Sequence, residues 1–324
     1  MAKVAVTGAA GFIGAYLTIA LAEAGHEVLA LDNYARGRPA RLAKAPDNVE
    51  TITCDVRDRE ALEQHLAGVD TMFHLAAING TENFYKQPQL VLDVGVRGAL
   101  AVAEACNAVG VRTLIAASSA EVYQTPPEVP TDEDVPLILP NSLNPRYSYG
   151  GSKIVTELIA FNYCRETIAQ VQCFRPHNVY GPDMGWKHVI PQLIAKITAA
   201  SAGDGVVELQ GDGTETRAFC YVDDIVAGII AMWERGETMN VYHIGSMEEV
   251  AIRDLTERVA AAMGADVSFR TGEAPAGATP RRCPDIAKMR GLGYEPKVPL
   301  AEGIARTVAW YRDNPEPVGG NELL

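Results

Sequence analysis

Residues 3–14 read KVAVTGAAGFIG: an apolar run, Lys3–Thr7, and then Gly8, Gly11 and Gly14 at three-residue intervals. The run predicts a short strand. Helical periodicity starts at Gly11, continues to about Ala24 and stops at Gly25, a residue suited to a helix C-terminus. A glycine turn between strand and helix lets backbone approach an anion closely. The helix N-terminus adds N–H donors and a positive dipole end. The spacing is GxxGxxG rather than GxGxxG, and alone it is weak.

The chain beyond it supplies the context. Val28–Leu31, Val49–Cys54, Thr71–Leu75 and Thr113–Ala117 read as further strands. Helices are expected at Arg59–Leu66 and Gln87–Val109 between them. Strand–helix alternation predicts parallel pairing through right-handed crossovers, an α/β doubly wound sheet of Rossmann type. Residues 124–145 hold Pro126, Pro127, Pro130, Pro136, Pro140 and Pro145, too many for a helix or a central strand, and predict an ordered surface loop. A helix at Tyr149–Glu166 and a strand at Val171–Arg175 follow. Later signals are a helix at Val189–Ala200, a strand at Cys220–Val222, a helix to Trp233 capped by Asp223 or Asp224, and a strand at Val241–Ile244. The division read from this is a dinucleotide-binding domain over 1–175, rejoined by about 219–245. A smaller C-terminal lobe spans 176–218 and 246–312, and 313–324 is a loose tail.

Asp32 ends the second strand, where a carboxylate accepts hydrogen bonds from ribose hydroxyls and repels a 2′-phosphate. With Asn33 and no arginine next to it, this predicts NAD rather than NADP. The candidate cofactor contacts are Gly8, Gly11, Phe12, Ile13, Gly14, Asp32 and Asn33. Asp55 and Val56, after the third strand, fit the adenine, with a helix cap as the competing role for Asp55. Leu75, Ala76 and Ala77 are small enough, after the fourth strand, to let a cofactor lie flat.

Ser118 and Ser119 end the fifth strand. Tyr149 and Lys153, four apart, share one helix face. In such sheets ligands bind at the carboxyl ends of strands, so the serines and the tyrosine meet there. A lysine beside a tyrosine favours phenolate. An oxidised nicotinamide adds a second positive charge, and with both the phenol is expected to fall toward working pH and to take a proton from a hydroxyl while hydride leaves the same carbon. Ser119, Tyr149 and Lys153 are the catalytic candidates, and Tyr149 and Lys153 are cofactor contacts as well.

The segments TGAAGFIG, HLAA, SSAEVY, YSYGGSK and RPHNVYGP together resemble the extended short-chain dehydrogenase/reductases, in the branch of nucleotide-sugar epimerases, dehydratases and decarboxylases. The resemblance spans residues 3 to about 312. It implies NAD and a nucleoside-diphosphate sugar, with Ser119, Tyr149 and Lys153 in the family's catalytic positions. It also implies Asn178 near the sugar diphosphate, Arg217 on the nucleotide or diphosphate, and Arg282, in RRCPDI, as an arginine of the decarboxylase branch. One departure is Gly95 in Gly95-Val96-Arg97-Gly98, where the family's NxxG pattern carries asparagine. The resemblance further implies a homodimer through the two long helices, with Ala99, Ala101, Ala103 and Ala105 permitting close packing.

The reaction is less legible. Oxidation at sugar carbon 4 is common to the branch. The ketone then allows inversion at carbon 4, proton loss from a neighbouring carbon, or loss of a carboxyl group. Glu121, two residues after Ser119, is the candidate base beside the ketone. The 4,6-dehydratases resembled here carry an Asp-Glu pair where this chain has Ala120-Glu121, which counts against dehydration. The expectation is an epimerase working through a 4-keto-hexose. A hexuronate decarboxylase or a 4,6-dehydratase is the alternative, and a non-catalytic NAD-binding regulator is the alternative of another class. Asn79, Thr81 and Tyr85, in a segment expected to cover the sugar, and Lys187 and His188, after the YGP turn, are further candidate substrate contacts.

Composition sets outer limits. With 28 Lys+Arg against 41 Asp+Glu the formal charge is −13, which argues against nucleic acid and against a polybasic membrane anchor. No apolar run reaches the roughly 18 residues of a membrane span, and no signal-peptide pattern opens the chain. The six cysteines are scattered without a CxxC pair, which predicts buried free thiols, no metal site and a cytoplasmic setting.

Overall fold

The structure, a computed structural model, describes residues 1–209, 211–273 and 279–315. The expected tail lies mostly outside the described residues.

In chain order the first half contains β1 (Lys3–Thr7), α1 (Phe12–Glu23), β2 (Glu27–Asp32), β3 (Val49–Thr53), α2 (Arg59–His65), β4 (Thr71–His74), α3 (Thr81–Lys86), α4 (Pro88–Leu92), α5 (Gly98–Val109) and β5 (Thr113–Ala117). The second half contains α6 (Ser148–Tyr163), β6 (Gln170–Pro176), β7 (Val179–Tyr180), α7 (Val189–Ala202), β8 (Val206–Glu208), β9 (Thr216–Ala218), β10 (Cys220–Tyr221), α8 (Val222–Arg235), β11 (Asn240–Ile244), β12 (Glu249–Ala251), α9 (Ile252–Met263), β13 (Ser268–Arg270), β14 (Arg281–Arg282), α10 (Ala287–Gly291) and α11 (Leu300–Asp313).

Seven strands form the central sheet, in the order β11-β6-β5-β4-β1-β2-β3, every neighbouring pair parallel. This is the doubly wound plan expected, and the order reverses between β1 and β4. Strand pleating splits each strand between two cores. Val4 and Val6 pack with α1 and α8, while Ala5 packs with α2, α5 and α6. Ile286, Met289 and Tyr294, around α10, join the first of these cores. A third core gathers α7, α9 and α11 around Tyr180, Phe219 and Tyr221. Its small sheets, β10-β7, β12-β9-β14 and β13-β8, have strands of two or three residues, too short to show a period in sequence.

The structure refines one local expectation and corrects two. The helix expected over Gln87–Val109 forms over Pro88–Val109, with a π turn at Asp93–Arg97 inside it. It bulges where it meets α6: a Cβ on Gly95 would lie 2.7 Å from Ser152 Cβ and Oγ, and Thr156 Oγ1 donates to the Gly95 carbonyl at 3.3 Å. A larger residue would force the helices apart, so glycine here serves packing. Second, Ala99, Ala101, Ala103 and Ala105 are already buried inside the chain, so they offer no face to a second copy. Third, neither Asp223 nor Asp224 caps α8, whose N-cap is Tyr221 with no side-chain bond. Asp224 instead accepts the N–H groups of Lys297 and Val298 at 2.8 and 2.9 Å and holds the approach to α11.

A buried polar chain crosses the sheet. Arg175 donates to Glu157 through Nε at 2.8 Å and Nη2 at 2.7 Å, with both side chains buried. Ser118 donates to Glu157, Arg175 also meets the Tyr123 hydroxyl, and that hydroxyl lies 2.6 Å from His243 Nε2. His177 stacks edge-on to His243 at 4.7 Å, and neither of its ring nitrogens has a hydrogen-bond partner among the described residues.

Burial pushes His74 and His243 down to about 3, and His177 well below its ordinary value. Below pH ~6.5 the unfolded chain takes up protons that these native imidazoles refuse. Stability therefore falls with pH from about 6.5 downward, by roughly 1.4 kcal/mol per unit for each ring. Urea unfolding at pH 7 and pH 5 is expected to show this loss. His177→Phe, which removes one titrating ring, should flatten the slope by about a third of the three rings' share. An unchanged slope would mean that native His177 accepts its proton.

Candidate active site

The glycine turn closes the end of β1 at the point where the strand order reverses. Gly8 has φ +68°, and a Cβ there would lie 2.9 Å from Ala76 Cα and N. A Cβ on Gly14 would collide with the Gly8 carbonyl oxygen. The turn thus has the close approach that its glycines predict. Gly11, the N-cap of α1, offers no side chain, and no acidic residue stands in the first turn where Phe12 and Ile13 begin the helix. The first-turn N–H groups are left to a ligand, as an anion requires.

Asp32 is buried at the end of β2. Its Oδ2 accepts Ala10 N–H at 2.9 Å and its Oδ1 accepts Tyr34 N–H at 2.7 Å. Burial pushes its carboxyl up, with the two N–H bonds opposing. The spare lone pairs of its oxygens suit ribose hydroxyls. Asn33 donates to Asp55 at 3.0 Å. Asp55 is also gripped by Arg57, through Nε at 2.9 Å and Nη2 at 2.7 Å, which holds its carboxyl far below the usual range. Asp55 does not cap α2; Asp58 does, accepting Ala61 N–H at 3.0 Å. Val56 is buried against Gly98. Leu75 and Ala76 donate backbone N–H groups to Thr7 Oγ1 at 3.2 and 3.4 Å, and Ala77 packs on the adjacent core. These donor and acceptor groups, and the glycine cradle, fit a dinucleotide.

Ser119, Tyr149 and Lys153 do converge. Tyr149 is the second residue of α6, only 7% exposed, and its phenol lies beside Ser119, which favours its ionisation. Lys153 is 2% exposed; its Nζ lies 5.8 Å from the Tyr149 ring centre and donates to the Ala117 carbonyl at 2.7 Å. Burial pushes Tyr149 up to about 12 in the chain by itself, and Ser119 does not offset it. Burial also pushes Lys153 down to about 8. Burial thus opposes the phenolate, and the positive charge expected from the nicotinamide favours it.

Sequence reasoning missed Phe84. It lies in α3, stacked on Tyr149 with ring centres 5.2 Å apart and planes at 13°. In INGTENFY nothing singles it out. Thr81 and Tyr85, from the same segment, are exposed on α3. Asn79 turns its side chain to Gly80 N–H at 2.7 Å, and its carbonyl accepts from Arg36 Nη1 at 2.5 Å.

Glu121 sits on a short 3₁₀ turn started by Ser119, whose Oγ accepts Glu121 N–H at 3.2 Å. Its Oε1 accepts Arg282 Nη1 at 2.7 Å. Burial opposes its ionisation, but Arg282, Arg146 and Arg217 outweigh it and hold the carboxyl below the usual range. Arg217, on β9, is pushed down to about 10 by burial and by Arg282. The proline-rich loop fixes this corner: Thr131 N–H donates to the Cys283 carbonyl at 2.9 Å, and Asp285 N–H to the Thr131 carbonyl at 2.7 Å. Asn178 has φ +38°, and its Nδ2 donates to the Ala218 carbonyl at 3.0 Å. Lys187 pairs with Glu82 at 2.8 Å, and His188 is the N-cap of α7. All six cysteines are buried and unpaired. Among the described residues no helix is long and apolar enough to cross a membrane.

A doubly wound sheet with a glycine turn at its switch point and a Ser–Tyr–Lys set beside it defines an extended short-chain dehydrogenase/reductase. The chain belongs to the NAD dependent epimerase/dehydratase family, whose model matches residues 4–245, and NAD is its cofactor. It is 33% identical to a UDP-glucose 4-epimerase of Mycolicibacterium smegmatis over 316 residues, 95% of this chain and 98% of that one. It is 30% identical to UDP-glucuronic acid decarboxylase 1 of Xenopus tropicalis over 327 residues, 99% of this chain and 75% of that one. The crystal structure of DesIV, a dTDP-glucose 4,6-dehydratase of Streptomyces venezuelae solved with NAD bound, superimposes with TM-score 0.86 at 31% identity, covering 96% of this chain and 97% of that one. Three reactions thus stand at nearly one level of likeness. Identity alone does not choose among them.

Proposed function

We propose that the chain inverts carbon 4 of the sugar in a nucleoside-diphosphate sugar. The observation that carries this reading is the Glu121–Arg282 pair beside Ser119 and Tyr149. A carboxylate committed to a guanidinium is a poor base for a neighbouring carbon, and Ala120 supplies no acid. Tyr149 is then the proton-transfer group. It takes the proton of the 4-hydroxyl and returns it once the sugar has turned over. NAD, when bound, would supply the hydride acceptor at that carbon and give the same hydride back on the other face, and its positive charge would favour phenolate. Ser119 holds the hydroxyl, Lys153 sits beneath the ring, and Phe84 fixes the ring plane. Asn178 and Arg217 serve the diphosphate side of the substrate while Arg282 holds Glu121, with Asn79, Thr81, Tyr85, Lys187 and His188 at the margin.

Decarboxylation of a hexuronate is the second reading. The cluster of Arg146, Arg217 and Arg282 around one carboxylate favours it, because such a cluster also suits a carboxylate on the substrate. Incubation with a panel of nucleotide sugars in deuterium oxide, followed by NMR and mass measurement, separates the outcomes. Inversion at carbon 4 without deuterium supports the proposal. Deuterium at carbon 3 or 5 gives Glu121 back its role as base, and loss of carbon dioxide makes the chain a decarboxylase. No reaction and no reduction of bound NAD would overturn the enzymatic reading.

The reading includes a homodimer. Leu92 on α4 and Leu158 and Tyr163 on α6 are large apolar side chains left exposed on the two neighbouring helices. Light scattering is expected to give twice the chain mass, and Leu158→Glu to give the single chain; a single-chain mass for the wild type removes the dimer.

A further inference from the structure

Arg36 reaches across the groove that the glycine turn forms. It stands four residues after Asp32, in the loop that leaves β2. Its Nη1 donates to the carbonyl of Asn79, in the loop that leaves β4. In the sheet β1 lies between those two strands. A side chain joining their loops therefore passes over the carboxyl end of β1, where the glycine turn sits. Arg36 is also among the charges that favour ionisation of Tyr149.

The loop is built to hold Arg36 there. Tyr34 N–H is fixed to Asp32 at 2.7 Å, and Ala35 N–H to Asn33 Oδ1 at 3.0 Å. Past Arg36, a Cβ on Gly37 would lie 2.6–2.7 Å from the Asp32 carboxylate, and Arg38 N–H donates to the Ala10 carbonyl at 3.0 Å. Arg38 and Arg41, farther along, pair with Asp183. The glycine turn itself contributes only neutral N–H groups against a pyrophosphate with two negative charges.

We propose that Arg36 is a cofactor-binding residue that donates to the NAD pyrophosphate and retains the dinucleotide between the two hydride transfers. The guanidinium has five N–H donors in a fixed fork, so it can serve a phosphate oxygen and the Asn79 carbonyl together. An enzyme that must hand back the hydride it has taken loses its turnover if the reduced cofactor escapes. A charge-assisted bond laid across the groove opposes that escape.

The substrate also carries a diphosphate, so the test has two arms. Titrations with NAD and with UDP are made on the wild type, Arg36→Gln and Arg36→Lys, at low salt and at about 0.5 M NaCl. Arg36→Gln is expected to lose about tenfold or more in NAD affinity at low salt, with the gap narrowing at high salt. Arg36→Lys, which keeps the charge, should lose less, and UDP affinity should be unchanged. NAD affinity within about twofold of the wild type at low salt would overturn the proposal. An equal or larger loss for UDP would assign Arg36 to the substrate instead. A matching fall in the melting temperature of the ligand-free variant would reduce it to a structural strap. If wild-type chain fails to bind NAD, the cofactor assignment fails and not merely the part given to Arg36.

Discussion

Tyr149→Phe is expected to lower turnover by about 10²–10⁴-fold, the range that a positioned acid–base group contributes, while NAD affinity stays near the wild type. The substitution keeps the ring and its stack on Phe84 and removes only the hydroxyl that meets Ser119. The same hydroxyl is the sole proton acceptor that the proposed inversion uses. The check is kcat on whichever sugar nucleotide the panel identifies, alongside an NAD titration. Full turnover in the variant would remove Tyr149 from the chemistry. Unchanged biological activity without measurable turnover in the wild type would instead favour an NAD-binding regulator.

The second large effect falls on stability. Arg175→Met leaves the Glu157 carboxylate buried without its guanidinium and is expected to cost about 3–5 kcal/mol. That is a large fraction of the roughly 5–15 kcal/mol that holds a typical domain folded. The Tyr123 hydroxyl loses a partner as well, so the turn carrying Glu121 loosens. Combining Arg175→Met with Glu157→Leu removes both charges and should recover part of the loss. Urea midpoints for the wild type, the single and the double variant measure this. A double variant no better than the single one would show that the pair's hydrogen bonds, rather than the stranded charge, carry the cost.

The sheet was readable because its strands are apolar and regularly spaced, and because glycine and proline punctuate them. The Ser119–Tyr149–Lys153 set was readable because two of its members share a helix face and the third ends a strand. Electrostatic state was not readable: burial depends on what packs over Tyr149, and Phe84 comes from a helix that shows no signal in its own segment. The Glu157–Arg175 pair and the His177–His243 contact were equally hidden, since each joins separate elements. The bulge at Gly95 shows the converse limit. Periodicity there continues through the π turn, and only the approach of Ser152 reveals why the helix bulges.

The sheet order has a consequence for biosynthesis. β6 pairs with β11, and some sixty residues, part of the lobe and then α8, are made between them. Until residue 244 has left the ribosome, β6 is an open edge with free N–H and C=O groups, and the face that Ile244 and Tyr242 later cover is exposed. At roughly 5–20 residues per second this window lasts several seconds. A nascent chain stalled in that interval would present an adhesive strand, which makes it the stretch of synthesis most dependent on a chaperone.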